Sequence, residues 1–137
     1  MATTIVERRT VSVSDIVDAN TARPLRPSGE AVAALLAAAI GMLTLAFVNQ
    51  LADMSDAVNA WVHSVGKLWM PGAAGIGPYS GKETLAAAAW IVSWAILHPA
   101  LRSRELTLSR WLIAFVVMVG VATTFIWPPV YGYFAGH

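Results

Sequence analysis

The stretch AVAALLAAAIGMLTLAFVNQL, residues 31–51, runs for 21 residues without a charge. Because an α-helix rises about 1.5 Å per residue, this stretch can cross the roughly 30 Å hydrocarbon core of a bilayer. Two further uncharged tracts, residues 84–101 and 111–134, are also long enough, the latter only if its helix continues through Pro128 and Pro129. The sequence therefore predicts an all-α integral membrane protein with three transmembrane helices.

Composition supports a lipid environment. Of the 137 residues, 57% are hydrophobic and 12% are charged, whereas a typical soluble domain has about 25% charged residues. We expect one membrane domain, residues 30–137, after a polar cytoplasmic tail, residues 1–29. The tail is unlike a cleaved signal peptide, so the first tract is expected to be a retained helix.

Positive residues predict the orientation of the chain. Seven of the nine would lie on one side of the membrane, four before the first span and three between the second and third. The positive-inside rule places this side in the cytoplasm, with the C-terminus outside a bacterial-type inner (plasma) membrane. The seven are Arg8, Arg9, Arg23, Arg26, Arg102, Arg104 and Arg110. Six aromatic residues gather at the predicted outer boundary, namely Trp61, Trp69, Tyr79, Trp127, Tyr131 and Tyr133.

Between the first two spans, residues 53–70 have the periodicity of an amphipathic helix. Its apolar side is formed by Met54, Val58, Trp61, Val65, Leu68 and Trp69. The opposite side carries Asp53, Asp56, Asn59, His63 and Lys67. A segment this polar does not span a bilayer, so we expect it to lie along the outer membrane surface or across a partner subunit.

The glycine-rich loop GAAGIGPYSGKE, residues 72–83, lacks the spacing of a phosphate-binding loop. Its Ser80 and Glu83 instead match a capping box for the second span. Ser28 and Ser109 are the candidate caps of the first and third spans. The short segment RSRELTLSR, residues 102–110, predicts that spans two and three form an antiparallel hairpin.

Small residues in the first span favour close helix packing. Ala34 with Ala38, and Ala37 with Gly41, have the small-xxx-small spacing that lets two backbones approach each other in lipid.

Three histidines are candidates for chemistry. His63 and His137 would lie outside, where either could meet Asp53 or Asp56 at an interfacial metal site, but solvated polar residues are the simpler interpretation because no ligand spacing supports a metal. His98 would lie near the inner end of span two, away from the other two, so a shared three-histidine site is not expected.

Trp90, Trp94 and His98 recur at intervals of four and share one face of the second span. Tryptophan prefers headgroup depth when it faces lipid, so Trp90 is expected to face protein or a large flat ligand. His98 could be an axial ligand of haem or bacteriochlorophyll, or a structural residue bonded to water, headgroups or a neighbour. The structural interpretation is favoured.

Several functions are disfavoured. The three tracts hold no carboxylate, which argues against a proton- or cation-coupled transporter. Four acids balance the four arginines of the tail and linker, so a nucleic-acid partner is not expected. No group of residues predicts catalysis or a metal site.

We therefore expect a non-catalytic accessory subunit of a larger membrane complex, with other membrane subunits as partners and with bound lipids. A bioenergetic or membrane-oxidation host is expected, of the respiratory, photosynthetic or membrane monooxygenase type, with electron transport as the process. Two alternatives stay open: a pigment- or haem-binding subunit that uses His98, with Trp90 and Trp94 beside the cofactor, and a small oligomeric channel.

Overall fold

The computed structural model describes residues 12–13, 27–70, 72 and 76–127. Within these residues the chain forms four α-helices and no strand. They are α1 (Gly29–Met54), α2 (Asp56–Lys67), α3 (Tyr79–Leu101) and α4 (Leu108–Ile126). Three of them, α1, α3 and α4, are long and apolar enough to cross a membrane. The all-helical class and the three candidate spans are thus confirmed, and most of the predicted tail lies outside the described residues.

The third span is shorter than its apolar tract. Its helix ends at Ile126, and Trp127 has an extended backbone with ψ of 126°. Trp127 precedes Pro128, whose ring disfavours helical geometry in the residue before it. The sequence left open whether this helix continues through Pro128 and Pro129; it ends at Ile126, and residues 128–134 lie outside the described part of the chain.

The three long helices form a layer with α1 in the middle. Helix α1 packs against both α3 and α4, whereas within the described residues α3 and α4 do not contact each other. The expected hairpin of spans two and three is therefore wrong, although only a short loop joins them. Helix α1 separates α3 from α4 because it packs on both of them, and its Ala37 and Ala39 are both fully buried. Two residues correspond to roughly 200° around a helix, so α1 buries small side chains on two opposite sides.

The side of α1 that faces α3 allows a close approach. A Cβ atom added at Gly41 would lie 2.9 Å from the Cβ of Trp90 and 3.3 Å from the carbonyl oxygen of Ala86. Ala37, one turn earlier, is fully buried, so the predicted pair of Ala37 and Gly41 does mark a contact between helices. Ala34 is exposed, so its pair with Ala38 does not.

At one end of the layer, here called the arginine end, the start of α1 meets the loop between α3 and α4. The Ser28 hydroxyl donates to the carbonyl oxygen of Leu106 at 2.6 Å and accepts from the Leu106 amide at 2.7 Å. The Gly29 amide donates to the carbonyl oxygen of Arg104 at 3.0 Å. Ser28 precedes α1 as predicted but makes no side-chain cap. Its hydroxyl joins two parts of the chain instead.

The other two predicted caps are wrong. Helix α3 begins at Tyr79, with Pro78 before it, so Ser80 is already inside the helix. The Lys82 amide donates to the carbonyl oxygen of Pro78, which shows that the first turn closes before a box of Ser80 and Glu83 could form. Ser109 likewise lies inside α4, which is preceded by Thr107.

At the opposite end, here called the aromatic end, α2 packs against the start of α3. Ser55 caps α2 and accepts a hydrogen bond from the Val58 amide at 3.5 Å. Val62 and Gly66 form the buried side of α2. A Cβ atom added at Gly81 would collide with the carbonyl oxygen of Val62, so the two backbones touch. The helix was predicted, but this contact through small residues was not.

The apolar side predicted for α2 is largely exposed, although the indole Nε1 of Trp69 donates to the Thr84 hydroxyl at 3.0 Å. Trp61, Leu68 and Trp69 are exposed, as is Met54 at the end of α1. The position of this side against a membrane surface stays a prediction.

Candidate functional site

Helix α3 carries the aromatic residues that the sequence analysis selected. The rings of Trp94 and His98 stack with their centres 5.1 Å apart and their planes tilted by 32°. Trp90, one turn before Trp94, is 51% exposed, and Trp94 is 45% exposed. These three residues form a partly uncovered aromatic face, defined here as the α3 aromatic face.

Trp90 is the point where this face meets α1. Its Cβ lies over Gly41, and it borders a groove of about 290 Å³ between α1 and α3. Met42 and Leu45 of α1 and Ala87 of α3 line the same groove. The base of the Trp90 side chain therefore packs inside the chain, while half of the residue remains open to the surroundings.

The imidazole of His98 is half-buried near the arginine end. No group of three or more His, Cys, Asp or Glu residues that could hold a metal ion occurs among the described residues. Haem needs only a single axial histidine from one chain, so this finding leaves a role for His98 untested. His63 lies in α2 at the far end of the layer, and His137, its possible partner at an interfacial metal site, lies outside the described residues.

A polar cluster that the sequence analysis did not select joins α1 to α3 at the aromatic end. The Lys82 ammonium donates to Oδ1 of Asn49 at 2.7 Å and lies 3.4 Å from Oδ1 of Asp53. The Asn49 amide donates to Oδ2 of Asp53 at 3.2 Å, which closes a triangle of contacts. The ammonium also lies 5.8 Å from the centre of the Tyr79 ring.

The environment of this cluster makes each contact important. The Lys82 side chain is 7% exposed and that of Asp53 is 25% exposed. A buried ammonium loses its hydration, so it needs a carboxylate and further hydrogen bonds in place of water. Asn49 supplies the shortest of these contacts. The cluster therefore holds the last turns of α1 and the first turn of α3 in one arrangement.

Gln50, next to Asn49 in sequence, points to a different side of α1. It is 9% exposed, and neither its amide nitrogen nor its amide oxygen has a hydrogen-bond partner within the described part of the chain. Buried polar groups in native proteins are nearly always paired. The Gln50 carboxamide is therefore a buried polar group that the described residues leave unpaired.

Comparisons with known proteins found no matching family model, no similar curated protein and no similar solved structure.

The contact of Asn49 and Asp53 with Lys82 was not predicted, because the apolar tracts end where the charges begin and the sequence assigns Asp53 to the helix after the first span. Asp53 lies inside α1 and Lys82 inside α3, because both helices continue beyond the apolar tracts, which themselves hold no carboxylate. One signal was available: Asn49 and Asp53 are four residues apart, and therefore share a helix face. Lys82 on the next span was their natural partner.

Proposed function

We propose that this chain is a non-catalytic accessory subunit of a larger integral membrane complex, which it stabilises by helix packing. The observation that carries the proposal is the position of Trp90. It lies eleven residues from each end of Tyr79–Leu101, which is about 16 Å from either end of the helix. A half-exposed indole at mid-span is unfavourable against lipid, because tryptophan prefers headgroup depth. A neighbouring subunit that covers the α3 aromatic face supplies the missing contacts.

The layered fold supports this role. The most apolar part of α3 has no buried residue, and that of α4 has almost none. In lipid, helices associate through close packing rather than through water exclusion, so open, shape-specific faces are sites for other helices. A chain that places one helix between two others offers such faces on both sides of the layer.

We further propose that the arginine end faces the cytoplasm of a bacterial-type cell and that the aromatic end faces outwards. Arg102, Arg104 and Arg110 all lie at or near the loop between α3 and α4, as the positive-inside rule requires. The exposed Trp61 and Trp69 then lie at the outer headgroup level, where indoles are favoured. In this arrangement α2 rests on the outer surface of the membrane or on a partner.

For the host we favour a bioenergetic or membrane-oxidation complex of the respiratory, photosynthetic or membrane monooxygenase type. The support is indirect: the candidate residues are suited to packing, and the sequence holds no cysteine and only widely separated histidines. Partner identity is the direct test of this choice.

The decisive experiment is gentle detergent extraction of the tagged full chain from its native membrane, followed by native mass spectrometry. We expect other membrane subunits in fixed ratio with the chain. Trp90→Ala combined with Trp94→Ala should reduce their recovery about tenfold or more, since buried aromatic anchors dominate interfaces. Ile96→Ala is the matched control, because it removes another exposed side chain from a different side of α3. Recovery of the chain alone, or as a homo-oligomer that conducts ions in liposomes, would contradict the proposal.

A haem- or pigment-binding subunit is the second candidate, and the stack of Trp94 on His98 favours it. An aromatic ring can hold an imidazole in a fixed plane, which suits an axial ligand. If this function is correct, the purified protein should show a visible absorption band that His98→Ala abolishes. A complex without such a band would leave the accessory role as the better explanation.

A further inference from the structure

Helix α2 crosses α3 at one place instead of packing along it. A Cβ atom added at Gly66 would collide with the Ser80 hydroxyl, and one added at Gly81 would collide with the carbonyl oxygen of Val62. Val62 and Gly66 are one turn apart in α2, yet both meet the same first turn of α3. Two helices that ran side by side would bring successive turns of each into contact. Helix α2 therefore lies across the start of α3.

The length of α2 and its position in the chain fit the same arrangement. Asp56–Lys67 has 12 residues, a length of about 18 Å, which is too short for the roughly 30 Å hydrocarbon core of a bilayer. Only Ser55 separates α2 from α1, so α2 begins where a candidate span ends. If α1 and α3 cross the membrane, α2 lies along its surface.

The exposed surface of α2 has two chemically different flanks, one on each side of the strip that meets α3. The apolar flank consists of Ala57, Trp61 and Leu68, and the latter two are 56% and 83% exposed. The charged flank consists of Asp56 and Lys67, which are also exposed. At about 100° per residue, the two flanks are roughly 130° apart around the helix. Helix α2 therefore offers separate surfaces to lipid and to water.

A hydrogen bond indicates which flank faces the middle of the layer. Trp69 comes directly after Leu68, and its indole Nε1 donates to the Thr84 hydroxyl at 3.0 Å. Thr84 lies five residues after Tyr79, the first residue of α3, which is about 8 Å further towards mid-span. The chain that leaves α2 beside the apolar flank thus turns towards the apolar part of α3. This contact favours the membrane side for the apolar flank and the water side for the charged flank.

We propose that α2 is an in-plane membrane helix, whose apolar flank contacts lipid acyl chains at the aromatic end and whose charged flank faces water. The partner of the apolar flank is therefore lipid rather than another subunit. Amphipathic helices bury their apolar side at the boundary between head groups and acyl chains, the depth that indoles also prefer. The exposed Met54 and Tyr79, at the ends of α1 and α3, continue this surface. The inference requires only that α1 and α3 cross the membrane, so it goes beyond the accessory role.

The test places spin labels on both flanks of the full chain in phosphatidylcholine nanodiscs, without partner subunits. The sequence has no cysteine, so each introduced cysteine carries the only label. Leu68→Cys and Lys67→Cys are a matched pair, because they are neighbours in sequence on different flanks, and Trp61→Cys and Asp56→Cys repeat the comparison. Electron paramagnetic resonance measures the collisions of each label with oxygen, which concentrates in lipid, and with a nickel chelate, which stays in water. The ratio of oxygen to chelate collisions should be severalfold higher on the apolar flank.

Two results would overturn the proposal. Strong collisions with the nickel chelate at all four positions would place both flanks of α2 in water. Weak collisions with both reagents at Trp61→Cys and Leu68→Cys would mean that protein, such as a second copy of the chain, covers the apolar flank. Ala57→Cys replaces an exposed alanine, so it reports on the same flank if loss of the Trp61 indole prevents folding. Because the partner-free chain is used, failure here is independent of the native mass spectrometry result.

Discussion

At the scale of single residues, Lys82 shows how a charged side chain is kept at the edge of an apolar layer. It reaches from α3 to two side chains of α1, and the nearer of the two is the neutral Asn49 rather than the carboxylate of Asp53. Removal of one partner from a buried ion pair costs more than the pair itself contributes, because the remaining groups keep their desolvation cost. Lys82 is therefore a residue whose replacement should be detected in stability rather than in chemistry.

We predict that Lys82→Met lowers the free energy of unfolding by about 2 kcal/mol, the range for hydrogen bonds to charged groups. Unfolding of the purified chain in detergent micelles would measure it. The double variant, Lys82→Met with Asn49→Ala, should lose less free energy of unfolding than the sum of the two single losses, because the two side chains share one contact. Lys67→Met is the control, since Lys67 is exposed at the end of α2, and its effect should stay within about 0.5 kcal/mol. Strictly additive losses would show that the cluster does not act as a unit.

At the scale of elements, α1 determines the arrangement of the other two long helices. It buries small residues on both sides, and Gly41 is the point of closest approach to α3. In lipid this closeness matters, because dispersion contacts between well-matched surfaces supply much of the attraction between helices. Glycine and alanine are therefore the residues on which the layer depends.

We predict that Gly41→Ala destabilises the chain by about 1–3 kcal/mol, the usual range for overpacking, because the added methyl would meet the Cβ of Trp90. Gly120→Ala is the matched control within α4. A Cβ atom at Gly120 meets nothing within 4 Å, so this change should stabilise its helix by about 0.5–1 kcal/mol. Thermal unfolding of both variants in the same detergent tests the pair. Stabilisation by Gly41→Ala, as expected for Gly120→Ala, would show that Gly41 is not a contact point.

At the scale of the whole molecule, the layer has two chemically different ends. The arginine end is held by Ser28 and Gly29 bonded to the loop between α3 and α4. The aromatic end is held by the Lys82 cluster and by the packing of α2 on α3. Each end therefore has its own polar connections, while the middle of the layer depends on small apolar residues.

We predict that the two ends lie on opposite sides of the membrane. The sequence has no cysteine, so single cysteines can be labelled without background. A membrane-impermeant maleimide should label Ser64→Cys of α2 in intact cells and Ser103→Cys of the loop only after permeabilisation. Both serines are exposed, so access should depend on the side of the membrane. Labelling of both variants from one side would be inconsistent with three spans.

The sequence by itself determined the helical class and the three candidate spans, because uncharged tracts of this length have few other solutions in lipid. It also predicted a helix between the first two spans, where α2 lies, because helical periodicity is a local property of the chain. Local caps were predicted less well: Ser28, Ser80 and Ser109 matched sequence patterns, yet the helices begin where proline and the tertiary contacts place them.

Only the tertiary structure decided which helices are neighbours. A short loop favours pairing of α3 with α4, but α1 lies between them because it presents small residues on two sides. Only the tertiary structure, likewise, brought Lys82 to Asn49 across 33 residues of sequence and buried the Gln50 carboxamide without a partner among the described residues. The physical reason is that tract length and periodicity depend on near neighbours in the chain, whereas packing partners depend on the surfaces that distant segments present to each other.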